Sequence, residues 1–283
     1  MNTAIEANTS SYPDSNSFLR EGVLLWDRTL RENPPYQARF VTDDGAYQVT
    51  CLVDPPLFGD PDIVDKVQAK ILRQANDQLV VFHVQRDVSL DPLDVTPAHL
   101  CPFPSTVDSV RDLLDGITTP ALRRLISDVF SLKRVFSSFW TATAGREHHS
   151  WTGGLARHSV EVATRVARVM ASPDQRQVDF TTVECEIGMV VALLHDIGKT
   201  VSYSRDGFSN ARALVLGHEL LGLELIRQPM DALRAEQCDL ADALSTLLLS
   251  RTRYTCGPYR LEPIRQVISH YDRASVARDK AKR

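Results

Sequence analysis

An apolar run, Ile187 to Leu194, ends abruptly in two ionisable residues, His195 and Asp196. A run of that kind packs in a core, where a carboxylate is costly unless it is paired or bound to a cation. Alone, the pair says little, because a histidine on an apolar face is usually a hydrogen-bonded core residue. Two other segments repeat the pattern. His158 shares a helical face with Val162, Val166 and Val169. Asp272 shares one with Ile264, Ile268 and Ser275, with Val267 and Tyr271 alongside. Three helices far apart in the chain thus each carry polar residues inward. Two imidazoles and two carboxylates suit one divalent ion: Mn²⁺, Fe²⁺, Zn²⁺ or Mg²⁺. Such a site can activate a water near neutral pH.

The chain has 283 residues, enough for one large or two modest domains. A formal net charge of −4 argues against a broad, non-specific nucleic-acid coat, yet leaves a local basic groove open. The five cysteines have no metal-ribbon spacing and read as reduced thiols. Residues 1–16 lack the layout of a signal peptide, and no apolar run is long enough to span a bilayer. A cytoplasmic protein with no membrane partner is the expectation.

The pattern divides the chain in four. Residues 1–16, rich in Ser, Asn and Thr, are expected to be disordered. Residues 17–90 read as a small α+β domain: strands at 36–42 and 46–53, a helix starting at Asp60-Pro61 and running through Ile71, and a strand at 79–84. Phe40, Tyr47 and Phe82 there could stack bases or simply pack. Residues 91–105 hold four prolines and read as a stiff linker. Residues 106–283 read as helices throughout, at 106–115, 120–131, 155–171, 182–195, 213–228, 235–250 and 263–278. The expected class is mainly α, an all-helical domain behind a small α+β one. The last 33 residues carry nine Lys/Arg against three Asp/Glu, a basic end that could guide a nucleic-acid strand.

The order His158…His195-Asp196…Asp272 resembles the signature of the HD-domain metal-dependent phosphohydrolases. Four stretches extend the likeness: "GITTPALRRLISDVF" (116–130), "HHSWTGGLARHSVEVA" (148–163), "LLHDIGK" (193–199) and "LGHELLG" (216–222). Together they are similar to the bacterial HD-domain 3′→5′ exoribonucleases and the TraI-type relaxase proteins of conjugative elements. The resemblance covers 116–278.

It implies a phosphohydrolase cleaving phosphodiester bonds, in single-stranded nucleic acid first, by metal-activated water. The alternatives are hydrolysis of mononucleotides, or a non-catalytic module in DNA-processing machinery; an oligomer is possible. His158, His195, Asp196 and Asp272 match the metal ligands. Lys199 matches a lysine that would hold a phosphate oxygen, although a helix-end lysine can equally satisfy terminal carbonyls. Gly153 and Gly154, before a helix start, could present free N–H groups to a phosphate or form a plain turn. The resemblance places His148 or His149 in the substrate groove. His218 matches a position that adds a ligand to a second ion. Two-metal members continue with Ser-His-His, whereas here Ser250 is followed by Arg251 and Thr252. One ion is therefore expected rather than two, and Arg251 could bind a phosphate directly. Members of this branch also carry an oligonucleotide-binding barrel in front, which the β-β-α-β reading of 17–90 does not fit.

Overall fold

The computed structural model describes residues 17–26, 35–53, 62–95, 100–172, 178–204, 208–251 and 253–281. Five strands form the N-terminal part: β1 (Ser17–Trp26), β2 (Tyr36–Val41), β3 (Ala46–Cys51), β4 (Asp65–Arg73) and β5 (Leu79–Arg86). They close into a barrel in the order β1-β2-β3-β5-β4, with β4 pairing back to β1. All neighbours are antiparallel except β3 and β5, which run parallel from Val49↔Leu79 to Cys51↔Val81. Leu24, Phe40, Val49, Val67, Ile71 and Val81 fill the interior.

The barrel corrects the expected fold class. The chain is not mainly α, and its first domain is not a small β-β-α-β unit. Within the described part of the helix expected to end at Ile71, residues 65–71 are strand; its proposed start, Asp60-Pro61, lies outside the described residues. Val67 and Ile71 are four apart, a spacing that suits one helical face and alternate strand positions equally. Ala69 decides between them. Val67, Ala69 and Ile71 all point into the barrel, while Lys70 and Leu72 are exposed. Strand β1 carries no clean alternation, because Val23, Leu24 and Leu25 are apolar in succession. Its Gly22 matters for closure. A Cβ there would stand 2.4 Å from the Val41 carbonyl and 2.8 Å from the Phe40 ring, so only glycine lets β1 curl this tightly onto β2. Of the three aromatics, Phe40 is core, Tyr47 is half-buried and Phe82 is exposed.

The second part contains α1 (Pro104–Asp115), α2 (Pro120–Ser131), α3 (Lys133–Ser138), α4 (Gly154–Ala171), α5 (Thr182–Leu194), the single turn α6 (Lys199–Ser202), α7 (Ala211–Leu225), α8 (Arg227–Glu236), α9 (Cys238–Leu248) and α10 (Leu261–Lys280). It too departs from all-helical: β6 (Thr255–Cys256) and β7 (Tyr259–Arg260) form a hairpin before α10. Helices occupy each of the seven stretches read from the sequence, and α3, α6 and α8 are additions between them. Every residue of α5 from Glu186 to Leu194 is buried, as expected of a helix packed on all sides. It packs along α4, with α10 against both.

The two parts are joined by more than the connector. Ile63 bridges Leu132, Val64 N–H donates to the Ser131 carbonyl, and Lys133 N–H donates to that of Asp62. Val23, Val41 and Val64 bury against Phe136 of α3. Among the described residues, no helix is long and apolar enough to cross a membrane.

Candidate metal centre

The position of α5 is fixed at its first turn by two buried carboxylates. Thr181 and Glu184 form a capping box, satisfying each other's backbone N–H groups. Glu184 also accepts from the backbone N–H and the guanidinium of Arg260, just ahead of α10. Glu186 accepts from the N–H and hydroxyl of Thr118 and the N–H of Thr119, at the start of α2. The helix that ends in His195-Asp196 is thereby locked to the one that carries Asp272.

Burial alone would raise the Glu184 pKa, but Arg260 and the backbone donors hold it down to about 2. Because this folded value lies below the ordinary one, the contribution is whole above about pH 4.5 and is lost as pH falls towards 2. Its size is on the order of 3 kcal/mol. Glu184→Gln should therefore be clearly less stable than wild type at pH 7 and nearly equal near pH 2, as read from denaturant unfolding at the two pH values.

His158 of α4, His195 and Asp196 at the end of α5, and Asp272 of α10 converge. His158 Nε2 lies 3.1 Å from Asp272 Oδ1 and 3.6 Å from Asp196 Oδ2. His195 Nε2 lies 3.4 Å from Asp196 Oδ2 and 3.8 Å from Asp272 Oδ1. Donors held ~2.0–2.2 Å from one ion stand roughly 3–3.6 Å apart; His158, His195 and Asp196 approach that spacing, with Asp272 beside them.

Proton accounting sharpens this. Ser275 Oγ donates to Glu161 Oε2 at 3.0 Å, so its one proton is used. It must therefore accept from His158 Nδ1, 3.1 Å away, which places the ring proton on Nδ1 and leaves Nε2 a lone pair. His195 Nδ1 likewise donates to the Ala192 carbonyl at 2.8 Å. Both Nε2 atoms are buried without a hydrogen-bond partner. Burial pushes His158 towards the neutral form. At His195 burial acts the same way, but the Asp196 and Asp272 carboxylates outweigh it and raise the pKa. A proton on His195 Nε2 and a divalent cation are alternatives for the same space. Asp196, opposed by burial but facing His195 and Lys199, stays ionised far below the usual carboxylate range.

The other predicted residues fall in different places. Lys199 is buried, and its ammonium donates to Asp196 Oδ2 at 2.6 Å, so it is engaged by that carboxylate rather than free for a phosphate. His218 Nε2 lies 3.0 Å from Asp196 Oδ1 and is partly open to solvent. His148 and His149 stack towards His158, with ring centroids 5.4 and 5.1 Å away, and one nitrogen from each of the three lies within 4.8 Å of the others. Burial, then the neighbouring Lys199 charge, lower the His148 pKa to about 4, so the ring is neutral.

Gly153 and Gly154 do not form an open phosphate cradle. The N–H groups of Gly153, Gly154 and Leu155 donate to the carbonyls of Thr141, Trp151 and Ala142. The glycines instead seat the histidines. Gly153 adopts φ 82°, and a Cβ on Gly154 would stand 1.9 Å from the His149 carbonyl.

Arg251 is exposed in the loop after α9 and joins none of the ion pairs of the cluster; Thr252 lies outside the described residues. Part of the basic end is occupied: Arg265 pairs with Glu262, Arg278 with Glu161 and Lys280 with Glu147. Sequence reasoning missed Glu161 as a participant. Its one signal is its place on α4, three residues after His158.

No protein-family profile and no curated protein matches this chain.

Proposed function

We propose that the protein is a metal-dependent phosphohydrolase that cleaves phosphodiester bonds in single-stranded nucleic acid. The observation that carries the reading is the pair of buried Nε2 atoms, each on a ring whose Nδ1 is engaged elsewhere, facing two carboxylates at 3.1 to 3.8 Å. Four donors of this kind fit Mn²⁺, Fe²⁺ or Zn²⁺ better than Mg²⁺, because half are imidazoles. A bound divalent cation there would supply Lewis acidity to a phosphoryl oxygen and acidify a water. The chain's own residues hold that arrangement. Lys199 steadies Asp196 from the core side, and His218, on its other oxygen, reaches the solvent side. The ligand order also resembles that of the HD-domain phosphohydrolases.

The barrel supports the substrate class. Its strand order, with the parallel β3–β5 pair, resembles that of oligonucleotide-binding barrels. One end opens into a cleft of about 310 Å³ lined by Phe18, Arg20, Tyr47 and Arg73, aromatic and basic groups suited to bases and phosphates.

One observation favours a second reading, a non-catalytic binding module. The Lys199 ammonium already neutralises the Asp196 oxygen that faces both imidazoles. Incubating end-labelled single-stranded RNA and DNA with the protein and Mn²⁺ separates the two. Stepwise or internal cleavage supports the phosphohydrolase. Intact strands, together with a purified protein that takes up no metal, would support the module.

A further inference from the structure

We infer that Glu161 is a positioning residue that, through Ser275, holds the His158 imidazole with its unprotonated nitrogen turned towards the metal centre. The inference rests on the metal reading of the cluster. Glu161 lies on α4 one turn beyond His158, on the side facing α10. Its carboxylate accepts from the Ser275 hydroxyl and from the Arg278 guanidinium, both on α10. His149 Nε2 lies 3.6 Å from the same Oε2 that Ser275 uses.

The consequence follows by counting protons. An ionised carboxylate only accepts, so Ser275 must give it its proton and take the one on His158 Nδ1. Nε2 of His158 is then the basic atom, and it is the atom that faces Asp196 and Asp272. His149 Nε2 lies near the same carboxylate, and its Nδ1 is buried without a hydrogen bond, in a ring only 3% exposed that packs against His158. His149 also has a φ of 43°, a conformation side chains rarely adopt. Its backbone N–H is tied to Asp279 at 2.8 Å, so α10 fixes the loop as well as the ring. The Arg278 guanidinium, donating to the other carboxylate oxygen of Glu161, fixes its direction. A carboxylate oriented by arginine, acting through a serine onto a ligand histidine, matches the outer partners that tune metal sites.

Glu161→Gln reverses the accounting. Its amide can donate to Ser275 Oγ, freeing the serine proton for His158 Nδ1 and moving the ring proton to Nε2. Ser275→Ala removes the acceptor without changing charge, and covers the case in which Glu161→Gln fails to fold. Two measurements on each purified full-length protein test the idea. Long-range ¹H–¹⁵N spectra of the metal-free protein read the imidazole tautomers directly. The expected result is His158 protonated on Nδ1 in wild type and shifted towards Nε2–H in both variants. Mn²⁺ titration by calorimetry should show affinity weakened by about 10–100-fold in both. Unchanged tautomers, or unchanged affinity in a variant whose tautomer has shifted, would overturn the inference. If wild type binds no Mn²⁺ the metal reading falls, and the tautomer spectra alone still decide whether Glu161 orients the ring.

Discussion

Asp196→Asn protein is expected to lose metal-dependent hydrolysis almost entirely, with the helices still formed. Asp196 is the hub of the cluster: Oδ2 faces His158, His195 and Lys199, and Oδ1 faces His218. Losing the ion's Lewis-acid effect costs several kcal/mol of barrier. At ~1.4 kcal/mol per decade, that is a rate loss of about 10³-fold or more. The substitution also strands the Lys199 ammonium, only 6% exposed, without its counter-charge. Breaking a buried pair from one side destabilises by ~3–5 kcal/mol. The double variant Asp196→Asn/Lys199→Met should therefore regain much of the stability and none of the activity. Oligonucleotide cleavage and denaturant unfolding on the three proteins check both halves. Cleavage by Asp196→Asn at the wild-type rate would refute the metal centre.

The second large effect is expected at a position with no polar group. Gly198 follows the His-Asp pair by two residues, where α7 crosses the end of α5. A Cβ there would lie 1.9 Å from the His218 carbonyl and 2.6 Å from the Gly222 amide nitrogen. Both obstacles are backbone, so no rotamer change relieves the clash. Gly198→Ala should push α7 away, carrying His218 from Asp196, and destabilise by about 3 kcal/mol or more. Denaturant unfolding reads the stability, and the cleavage assay reads the separation of His218. The same change at Gly145, where nothing lies within 4 Å of the added carbon, isolates the cost of backbone conformation, because Gly145 sits at φ 155°.

The helices were legible because each buries one face at a 3.6-residue period, and His158, Asp196 and Asp272 were legible because they interrupt such faces. The barrel was not. Val67 and Ile71 satisfy two periods at once, and the run Val23-Leu24-Leu25 satisfies neither. The parallel β3–β5 contact leaves no local trace, since the two strands are separated by all of β4 and its flanking loops. Within the site, the glycine pair was visible, but the sequence left its two readings, phosphate cradle and plain turn, open. A sequence shows that glycine permits close approach, not whether a phosphate or the chain's own His149 carbonyl makes it. Glu161 and Ser275 were silent for another reason. Each lies among ordinary helix residues, and only the crossing of α4 with α10 turns them into one chain of hydrogen bonds.

The short bridge between Ile63 and Leu132 changes what the connector at 91–105 is for. The barrel is docked edge-on to α2 and α3 by main-chain bonds and by Phe136 seated on Val23 and Val41. The connector is therefore not the sole tie between the two halves. The barrel and the helical domain with its His-Asp cluster are thus held together by contacts that do not pass through the connector at all.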